Sequence, residues 1–478
     1  MNNSALEQRI SAQWDGEIIP QLTEYIRVPA KSPHFDPQWE PHGHIERVVQ
    51  QALAWVKAQP ITSMAAEIVR IPGRTPLLFI DIPATAGYAH PGTVMLYGHL
   101  DKQPEMVGWH ADAGPWQPRF EDGKLYGRGG ADDGYAVFAA LSAIAALEAQ
   151  RVAHARCIGI IETCEESGSY DLPAYLTLLA GRVGQVELVV GLDSGCGDYE
   201  RLWMTTSLRG MAAGTLKVEV LTEGVHSGDA SGVVASSFRI ARRLLDRVED
   251  ASTGRILPPQ FHVPIPQERV DQAHATAAII GDNVVDKYPF AGATQPMVSA
   301  GGEALLNRTW RPALSVIGAD GLPSIANAGN VLRPQTSLAL SLRLPPLIDG
   351  GVATDALKAL LEADPPYAAN VTFDASQGAT GWSAPATAPW LAQALDSASQ
   401  AFYGKPMAAM GEGGTIPFMA MLGAQFPQAQ FLITGVLGPH SNAHGPNEFL
   451  HIPYAKKLTA CVAHVVAAHA AHVAHRAG

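Results

Sequence analysis

The chain predicts an α/β protein, with a mostly parallel sheet, helices on both of its faces, and a separate α+β domain inserted into it. Three observations predict this. Four short, apolar, β-rich runs beginning at Thr93, Cys157, Leu188 and Phe431 have the character of strands covered on both faces. Strand-like and helix-like segments alternate through the first part of the chain. After Leu202 the texture changes to half-exposed strands and amphipathic helix.

Taken in order, two helical patterns, Ala5 to Tyr25 and Gly43 to Ala58, flank a proline-rich turn from Pro29 to Pro41. Strands follow at Ala66 to Val69, Leu77 to Ile80 and Thr93 to Tyr97, then an Ala- and Leu-rich helix from Gly134 to Ala149. The strand at Cys157, a helix from Leu172 to Leu179 and the strand at Glu187 continue the alternation. Within the insert, Gly214 to Val220 alternates as a half-exposed strand and Ser231 to Val248 reads as an amphipathic helix. Strands at Leu314 to Gly318 and Thr336 to Leu344 complete it, with a proline-rich stretch from Leu257 to Pro266 inside. Helix resumes at Leu391 to Tyr403, the strand at Phe431 returns to the first domain, and Ala460 to His475 forms a terminal helix. The expected organisation is a discontinuous outer domain, 1–206 and 382–478, around a continuous insert, 207–381.

At 478 residues the chain exceeds one typical core, which also argues for two domains. Hydrophobic residues at 47% and charged residues at 16% describe a globular protein. A net charge of -12 argues against a nucleic-acid partner, since phosphate needs a basic face. The first residues lack the basic region and apolar core of a signal peptide. No run reaches the ~18 apolar residues of a membrane span, so no membrane partner is expected. Cys157, Cys164, Cys196 and Cys461 form no C-x-x-C pair, and reduced, inert thiols in a cytoplasmic protein are expected.

The chemistry lies where the apolar runs stop. They lead into Gly98-His99-Leu100-Asp101, into Glu165-Glu166, into Asp193, and into a loop holding His440 and His444. Ligand groups in parallel sheets gather at the carboxyl ends of the strands. His99 and Asp101, two apart in extended chain, point the same way, so the acid can orient an imidazole that binds a metal. The turn Gly127-Arg128-Gly129-Gly130-Ala131-Asp132-Asp133 delivers two acids to a helix start. A simple N-cap would account for them, and a phosphate would be repelled. Adjacent Glu165 and Glu166 repel each other unless a cation or a shared proton intervenes. One can bind metal while the other acts as general base. Two histidines with several carboxylates suit two divalent ions.

Together Tyr97 to Asp101, Gly127 to Asp133, Glu165-Glu166-Ser167-Gly168-Ser169, Asp193 and His444 resemble the M20 metallopeptidases, the dinuclear-zinc dipeptidases, carboxypeptidases and deacylases that include carnosinase-like enzymes. The resemblance spans nearly the whole chain. It implies two divalent ions per chain, zinc first with manganese or cobalt as alternatives. Asp132 would bridge them, His99 and Asp193 would hold one, and Glu166 and His444 the other. Glu165 would be the general base acting on a metal-bridging water, and Asp101 would orient His99. The insert would be a lid and dimerisation domain. His226, in Gly224-Val225-His226-Ser227-Gly228, would reach the partner subunit's active site in a homodimer. Asn330, Arg343, Gly414 and Thr415 would bind substrate, Arg343 forking onto the carboxylate of a peptide.

The resemblance thus implies hydrolysis of dipeptides or short peptides with a free C-terminal carboxylate. The alternatives are an N-acyl amino acid deacylase of the same family and a non-catalytic metal-binding relative. One departure is Gly134 after the paired aspartates, where the family's dipeptidases usually carry Lys. His440 competes with His444 as the last ligand, and the segment Ala443 to Glu448 favours His444. The series His469, His472 and His475 is read as a polar helix face.

Overall fold

The structure, a computed structural model, describes residues 1–88, 90 and 92–477, with the backbone alone at 376, 377, 417 and 475–477. It divides into two compact units: Met1–Thr206, Ala384–Met410 and Met421–Gly478 form the first, and Ser207–Ser383 with Gly411–Ala420 the second.

The first unit is built on a six-stranded sheet in the order Ala65–Val69, Leu77–Ile82, Arg156–Glu162, Thr93–His99, Val186–Gly191, Gln430–Ile433. The last four strands run parallel to one another, and they are the four apolar runs of the sequence. The first two are antiparallel additions at one edge. Every residue of Thr93–His99 is buried, as a central strand covered on both faces requires. Helices His44–Ala58 and Ala136–Ala149 pack on the sheet, and Ile452–Ala477 packs on Ala136–Ala149. Small side chains let Ala136–Ala149 approach closely, and it is buried from Ala136 to Leu147. With the turn before it, Gly130–Ala149 is long and apolar enough to cross a membrane, but it lies wholly inside the unit, as a core helix does.

The second unit is an antiparallel four-stranded sheet ordered Ala313–Asp320, Gln335–Leu344, Gly210–Glu219, Asn370–Ala379. Helices Ser237–Leu245 and Gly350–Glu362 pack on it, and Ile240, Leu244, Leu357 and Leu361 close a core with Leu216, Leu340, Leu342 and Phe373. This is the α+β architecture expected of the insert. The periodicity at Ser231 to Val248 gives a shorter helix than expected, Ser237–Leu245. Gly232 takes a left-handed φ of +87°, which breaks any helix there, and Ser236 caps the true start through Arg239 N. Helix Gly350–Glu362 and strand Asn370–Ala379 had no clear signal in the sequence.

Two histidines of the series on the last helix are packed against neighbours. His469 is 2% exposed, with Nε2 3.2 Å from Glu187, and His472 stacks on Trp390 at 5.3 Å between ring centres. The side chain of His475 lies outside the described residues.

Candidate metal centre

The carboxyl ends of the parallel strands converge. Strand Thr93–His99 ends in His99, and Gly98 before it is needed because a β carbon would meet Ala136 Cβ at 2.8 Å and Asp133 Oδ2 at 3.0 Å. Strand Arg156–Glu162 leads into a single helical turn, Glu165–Ser167, closed by Gly168 at φ +94°. Asp193 follows Val186–Gly191. The loop after Gln430–Ile433 carries His444 at a left-handed φ of +64°, a conformation a non-glycine residue holds only where its surroundings dictate it.

The two oxygens of Asp132 face different partners. Oδ1 lies 3.4 Å from His99 Nε2, and Oδ2 lies 3.0 Å from His444 Nε2. His99 Nε2 is also 3.8 Å from Asp193, and His444 Nε2 is 3.5 Å from Glu166. Ligand atoms sharing a tetrahedral ion at ~2.0–2.1 Å sit roughly 3.3 Å apart, so these spacings suit two ion positions on either side of Asp132. Ligand atoms of His99, Asp132 and Glu166 fall within 4.8 Å of one another, and so do those of His99, Glu165 and Asp193. His99 Nε2 and Glu166 Oε1 are buried yet have no hydrogen-bond partner. Such orphans are costly unless something else satisfies them, and a divalent cation fits both.

The electrostatics point the same way. Burial and the charge of Asp132 push Glu166 up to about 8. Burial raises Asp193 to about 6, and burial with Asp193 beside it holds Glu165 well above the usual carboxylate range. For Asp132 burial also acts upward, but His444 and His99 outweigh it and hold the carboxyl well below its ordinary value. Burial acts downward on His444, while Asp132 and Glu166 bring it to about 9. A site that must take up protons to relieve crowded acids is one a divalent cation would relieve instead.

A supporting frame, unassigned by sequence reading, holds these groups. Glu448 is fully buried, pairs with Arg128 at 2.7 Å, and accepts from Gly129 N at 2.9 Å, which ties down the turn presenting Asp132. Arg128 also donates to the carbonyls of His444 and Gly445 at 3.0 and 2.8 Å. Gln103 donates to Glu166 Oε2 at 2.6 Å. Asp101 does more than face His99. Its carboxylate accepts from the backbone of Glu165 and Glu166 at 3.1 and 3.0 Å, while His99 Nδ1 is closest to its carbonyl, at 3.1 Å. Arg128 and Glu448 both lie in segments already singled out. A charged residue flanked by glycines was the available signal, but nothing local links two residues so far apart in sequence.

Gly134 now has a physical reason. A β carbon there would come within 2.2 Å of Tyr25 Cε1 and 2.7 Å of Gly129 O, so no side chain fits. His440 and His444 are both exposed, but it is His444 that turns its Nε2 to the site, 3.0 Å from Asp132 and 3.5 Å from Glu166. All four cysteines are free and buried, and burial pushes the Cys164 thiol up, away from reactivity.

The remaining residues of interest lie in the second unit and fall into two groups. His226 is exposed on the short strand Val225–His226, paired with Val331–Leu332, and Asn330 O accepts from Ser227 N at 2.9 Å. Elsewhere Arg343 donates to Thr415 Oγ1 at 3.0 Å, and Gly414 O accepts from Arg209 N at 3.0 Å.

Imidazoles and paired carboxylates gathered on the rim of a parallel sheet define a metallohydrolase. The chain belongs to peptidase family M20/M25/M40, whose family model matches residues 95–468, and it is a metallopeptidase. It is 25% identical over 457 residues to a cysteinylglycine-S-conjugate dipeptidase of Corynebacterium striatum, covering 92% of this chain and 94% of that one. It is 28% identical over 263 residues to human β-Ala-His dipeptidase, about half of each chain. Its fold is similar to those of the dipeptidase Dug1p of Saccharomyces cerevisiae (TM-score 0.75, 20% identity, 98% of both chains) and human carnosine dipeptidase 1 (TM-score 0.75, 21% identity, 98% and 99%).

Two predictions follow from this geometry. Restoring the family's lysine by Gly134→Lys should destabilise the protein by about 1–3 kcal/mol through overpacking against Tyr25, read as a lower denaturation midpoint in urea; an unchanged midpoint would contradict the packing. Protein stripped of metal should melt at lower temperature as pH rises from about 5 to 9. Glu166 and Asp193 gain protons on folding, and His444 binds its proton more tightly when folded. The native state therefore holds more protons than the unfolded chain in that window, and stability falls as pH rises. Saturating zinc should abolish the fall, because the ion replaces those protons.

Proposed function

We propose that this chain is a dinuclear metal dipeptidase that cleaves the peptide bond of dipeptides or short peptides with a free C-terminal carboxylate. The observation that carries the reading is the division of Asp132, one oxygen toward His99 and the other toward His444. Asp132 would bridge two ions, with His99 and Asp193 holding one and Glu166 and His444 the other. Zinc is the favoured metal, with manganese or cobalt as alternatives. When bound, such ions polarise a carbonyl and make water acidic near neutral pH.

Glu165 then takes the proton of the attacking water and passes it to the departing amine. Two observations support this role: its carboxylate lies within 4.8 Å of ligand atoms of His99 and Asp193, and its raised proton affinity suits a group that must accept a proton near neutral pH. Asp101 holds the turn that presents Glu165 and keeps His99 in orientation. Arg343, steadied by Thr415, forks onto the substrate's terminal carboxylate, and the Gly414 segment cradles the same end. His226, with Asn330 beside it, would stabilise the oxyanion of a partner subunit's substrate. Pairing between copies is supported by the edge strand Ala313–Asp320, which exposes Val316 and Ile317. The residues 207–381 would then serve as lid and dimerisation domain. Four free, buried thiols agree with a reducing cytoplasm.

The dipeptidase reading is tested with metal-loaded protein on a panel of dipeptides and the matching N-acetyl amino acids. Release from dipeptides is expected; release from the acyl substrates alone would make the chain a deacylase, and turnover of neither would sink both readings. Glu165→Gln should lower kcat by about 10²–10⁴ with metal content unchanged, and a full-rate variant would remove Glu165 as the base. Mixing His226→Ala with Asp132→Ala subunits should regain activity that neither has alone. Hybrid dimers that stay inactive would exclude the shared site.

A further inference from the structure

The second unit contains a cavity of about 1050 Å³ with an unusual lining. Its walls include Tyr288, Phe290, Met297 and Trp310, and among the described residues no acid lines it, whereas Arg209 and Arg308 do. Tyr288, Phe290 and Met297 remain 45%, 42% and 80% exposed, so the described residues leave this apolar surface open. Two further arginines in the lining are accounted for. Arg311 pairs with Glu303 at 2.9 Å, and Arg255 points into solvent.

Arg209 and Arg308 are different. Arg209 directs Nε to the carbonyl of Gly413 at 3.1 Å, and Arg308 Nε is buried without a hydrogen-bond partner. Neither forms an ion pair among the described residues. The three cations meet at one loop: Arg209 also donates its backbone N to Gly414 O at 3.0 Å, Arg343 donates to Thr415 Oγ1 at 3.0 Å, and a β carbon at Gly413 would meet Arg308 Cγ at 3.2 Å and Arg209 Nη2 at 3.4 Å. Burial, then the like charges of Arg343 and Arg308, depress the Arg209 guanidinium to about 10. Lys287 adds a fourth charge beside Arg308, and Glu412 is the acid that offsets it. One terminal carboxylate on Arg343 would leave Arg209 and Arg308 uncompensated. Partly dry guanidinium groups without an anion are unfavourable, and a second carboxylate satisfies them by bidentate hydrogen bonds.

We propose that this cavity receives the side chain of the substrate's C-terminal residue, and that this side chain carries a second carboxylate on an apolar stem. The favoured substrates are thus dipeptides ending in an acidic residue, the methylenes lying against Tyr288 and Trp310 and the carboxylate on Arg209 and Arg308. This rests on the dipeptidase reading above, with Arg343 at the terminal carboxylate.

The test compares kcat/KM of the metal-loaded protein on Gly-Glu and Gly-Gln, which match in shape and differ in charge. Gly-Glu should be preferred about tenfold or more, and Arg308→Gln should remove most of that preference. Met297→Glu, at a position 80% exposed, sets an acid in the wall without disturbing the core and should lower the same ratio. Equal rates on the two peptides, or a ratio untouched by both variants, overturn the proposal. Should no dipeptide be turned over, calorimetry with glutarate separates the failures. Binding that Arg308→Gln abolishes keeps the cavity as a dicarboxylate site, and absent or unchanged binding removes it.

Discussion

The buried ion pair of Arg128 and Glu448 is the constraint on which the metal centre depends. Glu448 fastens the turn that presents Asp132, while Arg128 fastens the loop that presents His444. Both residues are almost wholly removed from water, where a charge is tolerated only if paired and fully hydrogen-bonded. The pair uses its lone pairs and N–H groups on backbone of both segments, so satisfying the charges and shaping the site are one requirement. Strained backbone at His444 persists for the same reason, since the guanidinium holds its carbonyl in place.

Inside that frame the site gathers more negative charge than it can hold alone. Asp132 sits between two imidazoles and stays ionised, whereas Glu165, Glu166 and Asp193 are pushed toward their protonated forms. Folding therefore accumulates an electrostatic cost at one rim of the sheet, which a divalent cation reverses. Stability and cation binding are linked here through the same carboxylates, and such clusters of shifted groups are common at functional sites. Asp101 shows how the backbone is recruited: by accepting two amide N–H groups it sets where Glu165 and Glu166 point.

The second unit repeats the theme with the opposite sign. Burial and the charges of Arg343 and Arg308 depress the Arg209 guanidinium, and neither Arg209 nor Arg308 forms an ion pair among the described residues. Arg343 stands on strand Gln335–Leu344, over a core that includes Leu216, Leu342 and Leu357, whereas Arg308 stands on helix Gly302–Thr309, whose Leu305 and Leu306 pack with Trp310 in a second core.

Much of this was legible in the sequence. The four parallel strands were visible because a strand covered on both faces must be apolar throughout, and their ends stood out because His99, Glu166 and Asp193 interrupt that pattern. The α/β class and the family followed from local signals of this kind. Long-range pairings were not legible. Nothing near Arg128 announces Glu448, nothing near Tyr25 announces that Gly134 can bear no side chain, and Gly232 shortened a helix whose periodicity looked longer. The sequence by itself determined which residues could be ligands and on which kind of strand end they stand, because hydrophobic period and residue type are local properties. Only the tertiary structure decided that Asp132 is shared between His99 and His444, because that depends on distances between segments far apart in the chain, set by one buried ion pair.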